Sequence, residues 1–205
     1  MDFHKNVLIA GTGKSGLNAG KLLLEKGAEI IFYDDNASLD VEKLLSNFNE
    51  NDPVRVVLGS INDKILRDID LMVISPGVPV DSDIANIVRD ANIPIMGEIE
   101  LAYQAGAGHL AAITGTNGKT TTTSLVGEIF AAYTDNHFTV GNIGIPYTEV
   151  ALDMDEDSYT VAEVSSFQLE TIVDFKPHVS AVLNLTPDHL NRHYTMENYA
   201  SVKLD

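Results

Sequence analysis

Thr114-Gly115-Thr116-Asn117-Gly118-Lys119-Thr120-Thr121 follows the apolar run His109–Ile113 and opens a helical pattern that continues to about Tyr133. A buried strand, a Gly-rich turn and a helix, in that order, make a phosphate-binding turn. The turn lacks the first glycine of G-x-x-x-x-G-K-[ST], where Ile113 stands, and is a shortened G-x-x-G-K-T. The parts that carry chemistry remain. Successive backbone N–H groups can cradle phosphates, Lys119 can reach the β- and γ-phosphates, and the Thr120 hydroxyl can ligate Mg²⁺. Lys119 is the only Lys or Arg between Arg89 and Lys176. Gly115, Thr116, Asn117, Gly118, Lys119, Thr120 and Thr121 are therefore the candidate phosphate residues.

The same arrangement occurs once more upstream. Gly11-Thr12-Gly13-Lys14-Ser15-Gly16 fits G-x-G-x-x-G between the strand Asn6–Ala10 and a helix that Gly27 ends. Asp34 and Asp35 close the second strand, 18 and 19 residues past Gly16. Glycine lets the backbone approach a diphosphate, the helix N-terminus supplies positive potential, and the acidic group can reach a ribose hydroxyl. Such a turn recognises a diphosphate and not a nicotinamide, and it also occurs as a bare structural turn. Ser75-Pro76-Gly77 ends the strand Leu71–Ile74 on the same side of that sheet. It either closes over a ligand there or is a Pro-Gly turn.

Short apolar runs alternating with helical patterns predict an α/β fold with a mostly parallel sheet. We place a boundary near Gly97. Residues 1–97 form a Rossmann-like parallel-sheet domain, and residues 98–205 form part of a P-loop ATPase α/β domain behind a linking helix, Glu98–Gln104. The 205 residues carry 13 Lys and Arg against 30 Asp and Glu, a net charge of −17. That argues against nucleic acid and against an anionic membrane surface, both of which need clustered basic residues. Cysteine is absent, which excludes disulfides, Cys-ligated metals and thiol nucleophiles. Met1-Asp2-Phe3-His4-Lys5 leads straight into a strand, and no run approaches the roughly 18 apolar residues of a membrane span. A cytoplasmic protein is expected. The chain stops inside the helical pattern Met196–Lys203 without a cap, so it reads as a fragment, and a sheet cut short would expose an edge and apolar surface.

Further candidates lie in the second half. The strand Ser158–Val164 delivers Glu163 near its end, where P-loop domains commonly place a carboxylate for Mg²⁺. Val179–Leu185 leads to Thr186-Pro187-Asp188-His189 and then Arg192-His193. His189 there can bind metal or phosphate, orient a carboxylate, or simply pack. Asn142, in Gly141-Asn142-Ile143-Gly144, reads first as a turn residue. Lys203, with Tyr199 four residues before it, reads by itself as a surface lysine.

Six stretches taken together resemble the Mur ligases of peptidoglycan synthesis: GTGKSG at 11–16, SPGVP at 75–79, GEIELAY at 97–103, TGTNGKTTT at 114–122, GNIG at 141–144, and EVSSFQLE with NLTPDHLNRH at 163–170 and 184–193. SSFQLE and GEIEL favour the D-glutamate-adding branch. The resemblance implies three-domain enzymes of about twice this length, of which this chain would hold the UDP-substrate domain and part of the ATPase domain. It implies that Gly13, Lys14, Ser15, Asp34, Asp35, Ser75, Pro76 and Gly77 contact the uridine diphosphate. Asn142 and His189 would touch the muramoyl end and the second metal. Thr120 and Glu163, with His189 and Lys203, would serve Mg²⁺. Lys203 matches the family's carbamylated lysine through Tyr-x-x-x-Lys.

The implied partners are UDP-N-acetylmuramoyl-L-alanine, ATP with Mg²⁺, and D-glutamate, whose site falls in the part this chain lacks. The substrate carboxylate would attack the γ-phosphate to give an acyl phosphate, which the amine of D-glutamate then converts to an amide. Lys119, His189 and Lys203 are the expected catalytic residues. The chain alone is expected to be inactive. A nicotinamide-dependent oxidoreductase, read from residues 11–35, and a non-catalytic nucleotide-binding module stand as alternatives. The second turn argues against the oxidoreductase.

Overall fold

The computed structural model describes residues 5–204; Met1–His4, part of the lead into the first strand, and Asp205 lie outside the described residues. The first sheet is built from β1 (Asn6–Ala10), β2 (Glu29–Asp34), β3 (Val54–Leu58), β4 (Leu71–Ile74) and β5 (Ile95–Gly97). Its order is β3-β2-β1-β4-β5 and every pairing is parallel. The crossovers are α1 (Lys14–Glu25), α2 (Val41–Leu45), α3 (Asp63–Asp68) and α4 (Asp83–Asp90). A central parallel strand is covered on both faces, which is why β1 and β4 are near-continuous apolar runs with almost no exposed residue.

Two local differences from expectation have clear causes. The helix α2 ends at Leu45, short of the apolar Phe48, because the Ser46 hydroxyl and the Asn47 amide bond back to the Lys43 and Leu44 carbonyls. The helix α3 was not anticipated. It is one turn and a half long, too short to show periodicity, and Asn62 caps it by accepting from Lys64 and Ile65 N–H.

The second sheet contains β6 (His109–Thr114), β7 (His137–Gly141), β8 (Tyr159–Glu163) and β9 (Val179–Val182), in the order β7-β8-β6-β9, again all parallel. Between and after these strands run α5 (Glu98–Ala105), which precedes β6, then α6 (Lys119–Tyr133), α7 (Tyr147–Val150), α8 (Ser166–Leu169), α9 (Leu190–His193) and α10 (Met196–Leu204). The edge strand β9 leaves Val179 and Val182 exposed, and α6 exposes Leu125, Ile129 and Tyr133.

The two sheets share one apolar core. Val7, Ile9, Leu22 and Phe32 of the first belong to the same buried cluster as Leu101, Leu110, Ala162 and Val164 around the second. A separate cluster, with Leu8, Met72 and Val88, fills the other face of the first sheet. The helix α5 bridges the sheets and is pinned by a buried carboxylate. Glu100 is fully buried and accepts the backbone N–H groups of Val173 (2.7 Å), Asp174 (3.1 Å) and Phe175 (3.0 Å), besides the Gln104 amide. Three N–H donors and an amide satisfy a charge that burial alone would make very costly.

Glu100→Ala leaves those N–H groups without their acceptor and should destabilise the chain by roughly 2–4 kcal/mol. Urea unfolding should show a lower midpoint at unchanged slope; an unchanged midpoint would show that the carboxylate contributes little to stability.

Candidate functional site

The first phosphate turn joins β1 to α1 at the point where the strand order reverses, between β1 and β4. Open α/β sheets bind ligands at such a crevice. Gly11 has φ +98°, and a Cβ on it would meet Ser75 Cβ at 3.0 Å and Val78 Cγ2 at 3.2 Å. Gly16 is more constrained, since its Cβ would lie 2.1 Å from the Gly11 carbonyl oxygen. The loop after β4 therefore lies directly on the turn. Together they border a cavity of about 690 Å³ that Asp34, Asp35, Gly77 and Val78 help to line. Asp34 accepts from the Thr12 hydroxyl (2.6 Å) and from Asn36 N–H (3.1 Å). Among the described residues no side chain caps α1, so its first N–H groups are free of side-chain acceptors.

The other residues expected at this site are dispersed. Lys14 faces a second cleft with Lys21 and Glu149. Ser15 lies in a small cleft with Glu98, Tyr147 and Gln168. Ser75 and Pro76 border another beside Glu98, Phe167 and Arg192. Gly13 has open space around the position of a Cβ.

The second turn, between β6 and α6, is stapled from outside. Asn184 accepts from Asn117 N–H (2.9 Å) and donates to the Asn117 carbonyl (2.8 Å), and its own carbonyl accepts from Thr116 N–H (2.9 Å). Gly115 and Gly118 take φ of +143° and +82°. Lys119 Nζ donates to the Gly115 and Thr116 carbonyls at 2.9 and 3.0 Å.

Glu163 ends β8 beside Ile113 of β6 and Gly141 of β7. Its carboxylate is 1% exposed and doubly satisfied, by Thr120 Oγ1 on one oxygen (2.9 Å) and Asn142 Nδ2 on the other (2.7 Å). Asn142, expected with the UDP substrate, thus sits at the second turn. Gly141 allows this, because a Cβ there would lie 2.2 Å from the Glu163 carbonyl oxygen.

Lys203 is buried, unlike the surface lysine its sequence surroundings suggest. Its Nζ donates to Thr114 Oγ1 (2.9 Å) and shares the Gly115 carbonyl with Lys119 (3.2 Å). Burial, then the neighbouring Lys119 charge, lowers its pKa to about 8, with Asp188 opposing. His189 is half-exposed, with φ +51°, and pairs with Asp188 at 3.5 Å. Its ring lies 4.8 Å from Phe167.

Among the described residues no group of three or more His, Asp or Glu is placed to hold a metal. Thr120 and Glu163 are nonetheless a pair of hard oxygen donors beside a phosphate turn. That donor set fits Mg²⁺, which takes few protein ligands and completes its shell with phosphate and water.

Sequence reasoning passed over Glu98, although it stands in the quoted GEIELAY. It is buried at the start of α5, and its Oε1 has no hydrogen-bond partner. Burial raises its pKa to about 7, with the Ser15 and Ser75 hydroxyls opposing. A second cluster also escaped notice. His193 Nε2 lies 2.9 Å from Ser166 Oγ and its Nδ1 lies 3.5 Å from Glu170. This is a Ser-His-Glu arrangement, but Ser166 and His193 are buried, so it clamps α8 to α9. Burial lowers the His193 pKa, which Glu170 opposes.

Two Gly-rich turns at the C-terminal ends of parallel strands, the second carrying Lys119 and Thr120 beside Glu163 of β8, define the class: an α/β protein with two strand–turn–helix units of the phosphate-turn type. A Mur ligase MurD-like N-terminal domain model matches residues 5–97, and a Mur ligase middle domain model matches residues 113–205. The chain belongs to the Mur ligase family and carries its N-terminal and middle domains. UDP-N-acetylmuramoylalanine–D-glutamate ligase of Lachnospira eligens is 55% identical over 200 residues, which is 98% of this chain and 44% of that protein. The ligase of the same name from Lachnoclostridium phytofermentans is 50% identical over 201 residues, again 98% and 44%. The chain thus spans less than half the length of these relatives. Two solved structures share the fold. UDP-N-acetylmuramate:L-alanyl-gamma-D-glutamyl-meso-diaminopimelate ligase of Neisseria meningitides has a TM-score of 0.58 at 17% identity, covering 97% of this chain and 66% of that one. UDP-N-acetylmuramate-alanine ligase MurC of Thermotoga maritima has a TM-score of 0.57 at 20% identity, covering 97% and 46%.

The raised Glu98 pKa carries a sign. A carboxyl titrating near 7 when folded and near 4.5 when unfolded binds its proton more tightly in the native state. Stability should then fall as pH rises from about 4.5 through 7, by on the order of 2–3 kcal/mol. Unfolding free energies at pH 5, 6, 7 and 8 should show this fall in the wild-type chain and a shallower one in Glu98→Gln. Parallel profiles would refute the raised pKa.

Proposed function

We propose that this chain supplies the UDP-substrate site and the ATP-phosphate site of an ATP-dependent ligase that adds D-glutamate to UDP-N-acetylmuramoyl-L-alanine. The observation that carries the reading is the cluster at the Gly115 carbonyl. Lys119 and Lys203 converge on that oxygen, and the Thr120–Glu163–Asn142 group stands beside the same turn. The names of relatives at 50–55% identity support the substrate. No helix among the described residues is long and apolar enough to cross a membrane, which accords with a cytoplasmic setting and soluble substrates.

The chemistry to be served brings a carboxylate against a triphosphate. The substrate carboxylate attacks the γ-phosphorus and ADP leaves, giving an acyl phosphate; the amine of D-glutamate then displaces phosphate and forms the amide. Two anions must be held together, so positive charge and N–H donors at the turn decide the rate. Lys119 and the N–H groups of residues 118–121, at the start of α6, would bind and orient the phosphates, while Asn184 holds the Thr116 and Asn117 N–H groups. Thr120 and Glu163 would hold Mg²⁺, which when bound neutralises phosphate charge. Asp34, Asp35 and Gly77 would hold the uridine diphosphate in the 690 Å³ cavity, with Ser75 and Pro76 bordering a neighbouring cleft. Asn142 orients Glu163. His189, half-exposed on the loop after β9, would meet the reacting carboxylate.

Lys203 is assigned as a carbamate site. A buried amine with a pKa lowered to about 8 is partly unprotonated at neutral pH, and the free amine adds CO₂ with loss of a proton. The product is an anionic oxygen ligand where an ammonium would repel a cation.

Titration with UDP and with NAD separates this reading from an oxidoreductase. UDP should bind, and NAD binding without UDP binding would overturn the ligase. Lys119→Ala should weaken Mg·ADP binding by at least tenfold, on the order of 1.4 kcal/mol, while UDP affinity stays within about twofold. Loss of both would instead indicate a damaged fold. After equilibration with ¹³C-bicarbonate, the wild-type chain should show a carbamate carbon resonance that Lys203→Arg lacks; identical spectra would remove the carbamate.

A further inference from the structure

The segment after β9 and the loop after β4 come from different sheets, yet they are joined by two hydrogen bonds. Arg192 Nη2 donates to the Val78 carbonyl at 3.2 Å, and the Tyr194 hydroxyl donates to Asp81 Oδ2 at 2.7 Å. Arg192 is itself held rigidly. Its guanidinium meets both Glu170 oxygens, at 2.5–3.3 Å, and lies 4.7 Å over the Phe167 ring. A guanidinium fixed by a bidentate carboxylate and an aromatic face has little freedom left, so its remaining N–H transmits position rather than absorbing it.

Each end of this link reaches one of the two turns. Val78 and Asp81 line the 690 Å³ cavity, and the Val78 side chain packs against the Gly11 position. At the other end His193, the neighbour of Arg192, lies 5.3 Å from the Tyr199 ring, and the Tyr199 hydroxyl lies 3.0 Å from Thr116 Oγ1 in the second turn. A ligand seated on the first turn would bear on the loop to which Arg192 of α9 and Tyr194 just after it are hydrogen-bonded.

We propose that Arg192, assisted by Tyr194, is a positioning residue that couples the two nucleotide sites, so that filling the first cavity favours phosphate binding at the Lys119 turn. The inference rests on the two-site reading given above and adds a direction to it. A ligand that favours one placement of the 78–81 loop favours the matching placement of α9, so the second ligand meets a segment already in position. Linkage requires the effect to be reciprocal.

The test is a binding cycle on this chain by calorimetry, with UDP as the probe for the first site and ADP with Mg²⁺ for the second. In the wild-type chain saturating Mg·ADP should tighten UDP binding about fivefold or more, and UDP should tighten Mg·ADP binding by the same factor. In Arg192→Ala the factor should fall to about one. Tyr194→Phe removes a single hydroxyl from an exposed side chain, so it keeps the fold; it should lower the factor measurably. A role in stability alone would shift the melting temperature and leave the factor intact. A factor of about one in the wild-type chain, or one unchanged in both variants, overturns the coupling. Failure of the wild-type chain to bind either nucleotide overturns the two-site reading instead, and the coupling with it.

Discussion

A carboxylate taken wholly out of water must be paired, and the pairing of Glu163 organises the second half of the molecule. Its two oxygens are claimed by Thr120 and Asn142. Its carbonyl accepts Asn142 N–H at 2.8 Å. Those bonds are possible only if β8 lies between β6 and β7 with Glu163 level with Ile113 and Gly141. A shift of one residue would turn the carboxylate to the opposite face and leave it buried without partners. The register of three strands, the start of α6 and the Gly141 turn are thus tied to one side chain.

The charge distribution makes sense against that centre. The chain is strongly acidic, and residues 98–205 hold only Lys119, Lys176, Arg192 and Lys203 as basic residues. Two of the four meet at the Gly115 carbonyl, and a third spans the seam to the first sheet. Positive charge is scarce and is spent where anions would sit. The cost shows in Lys203, whose pKa falls because it is buried beside another cation.

The seam between the sheets is the other organising feature. It is apolar along α1, α5 and α7, and polar where Glu98, Glu100 and Arg192 stand. Much of the site was legible without coordinates. The two Gly-rich turns, Lys119, Thr120 and Glu163 announce themselves because each sits at a fixed offset from an apolar strand. The short helices α3, α8 and α9 did not, since a few residues show no period. Glu98 and the Ser166–His193–Glu170 cluster were hidden for a different reason. Glu98 meets Ser15 of the first turn and His193 meets Ser166 across 27 positions, and nothing in their local sequence reports it.

Local order in the chain determined the α/β class, the parallel sheets and the two phosphate turns, because strand, turn and helix signals lie within a dozen residues of one another. The burial of Lys203, the move of Asn142 to the second turn and the Arg192 link were decided by the tertiary structure alone. Each depends on which faces meet across the sheets, and that is settled by packing of the shared core rather than by any residue's neighbours in sequence.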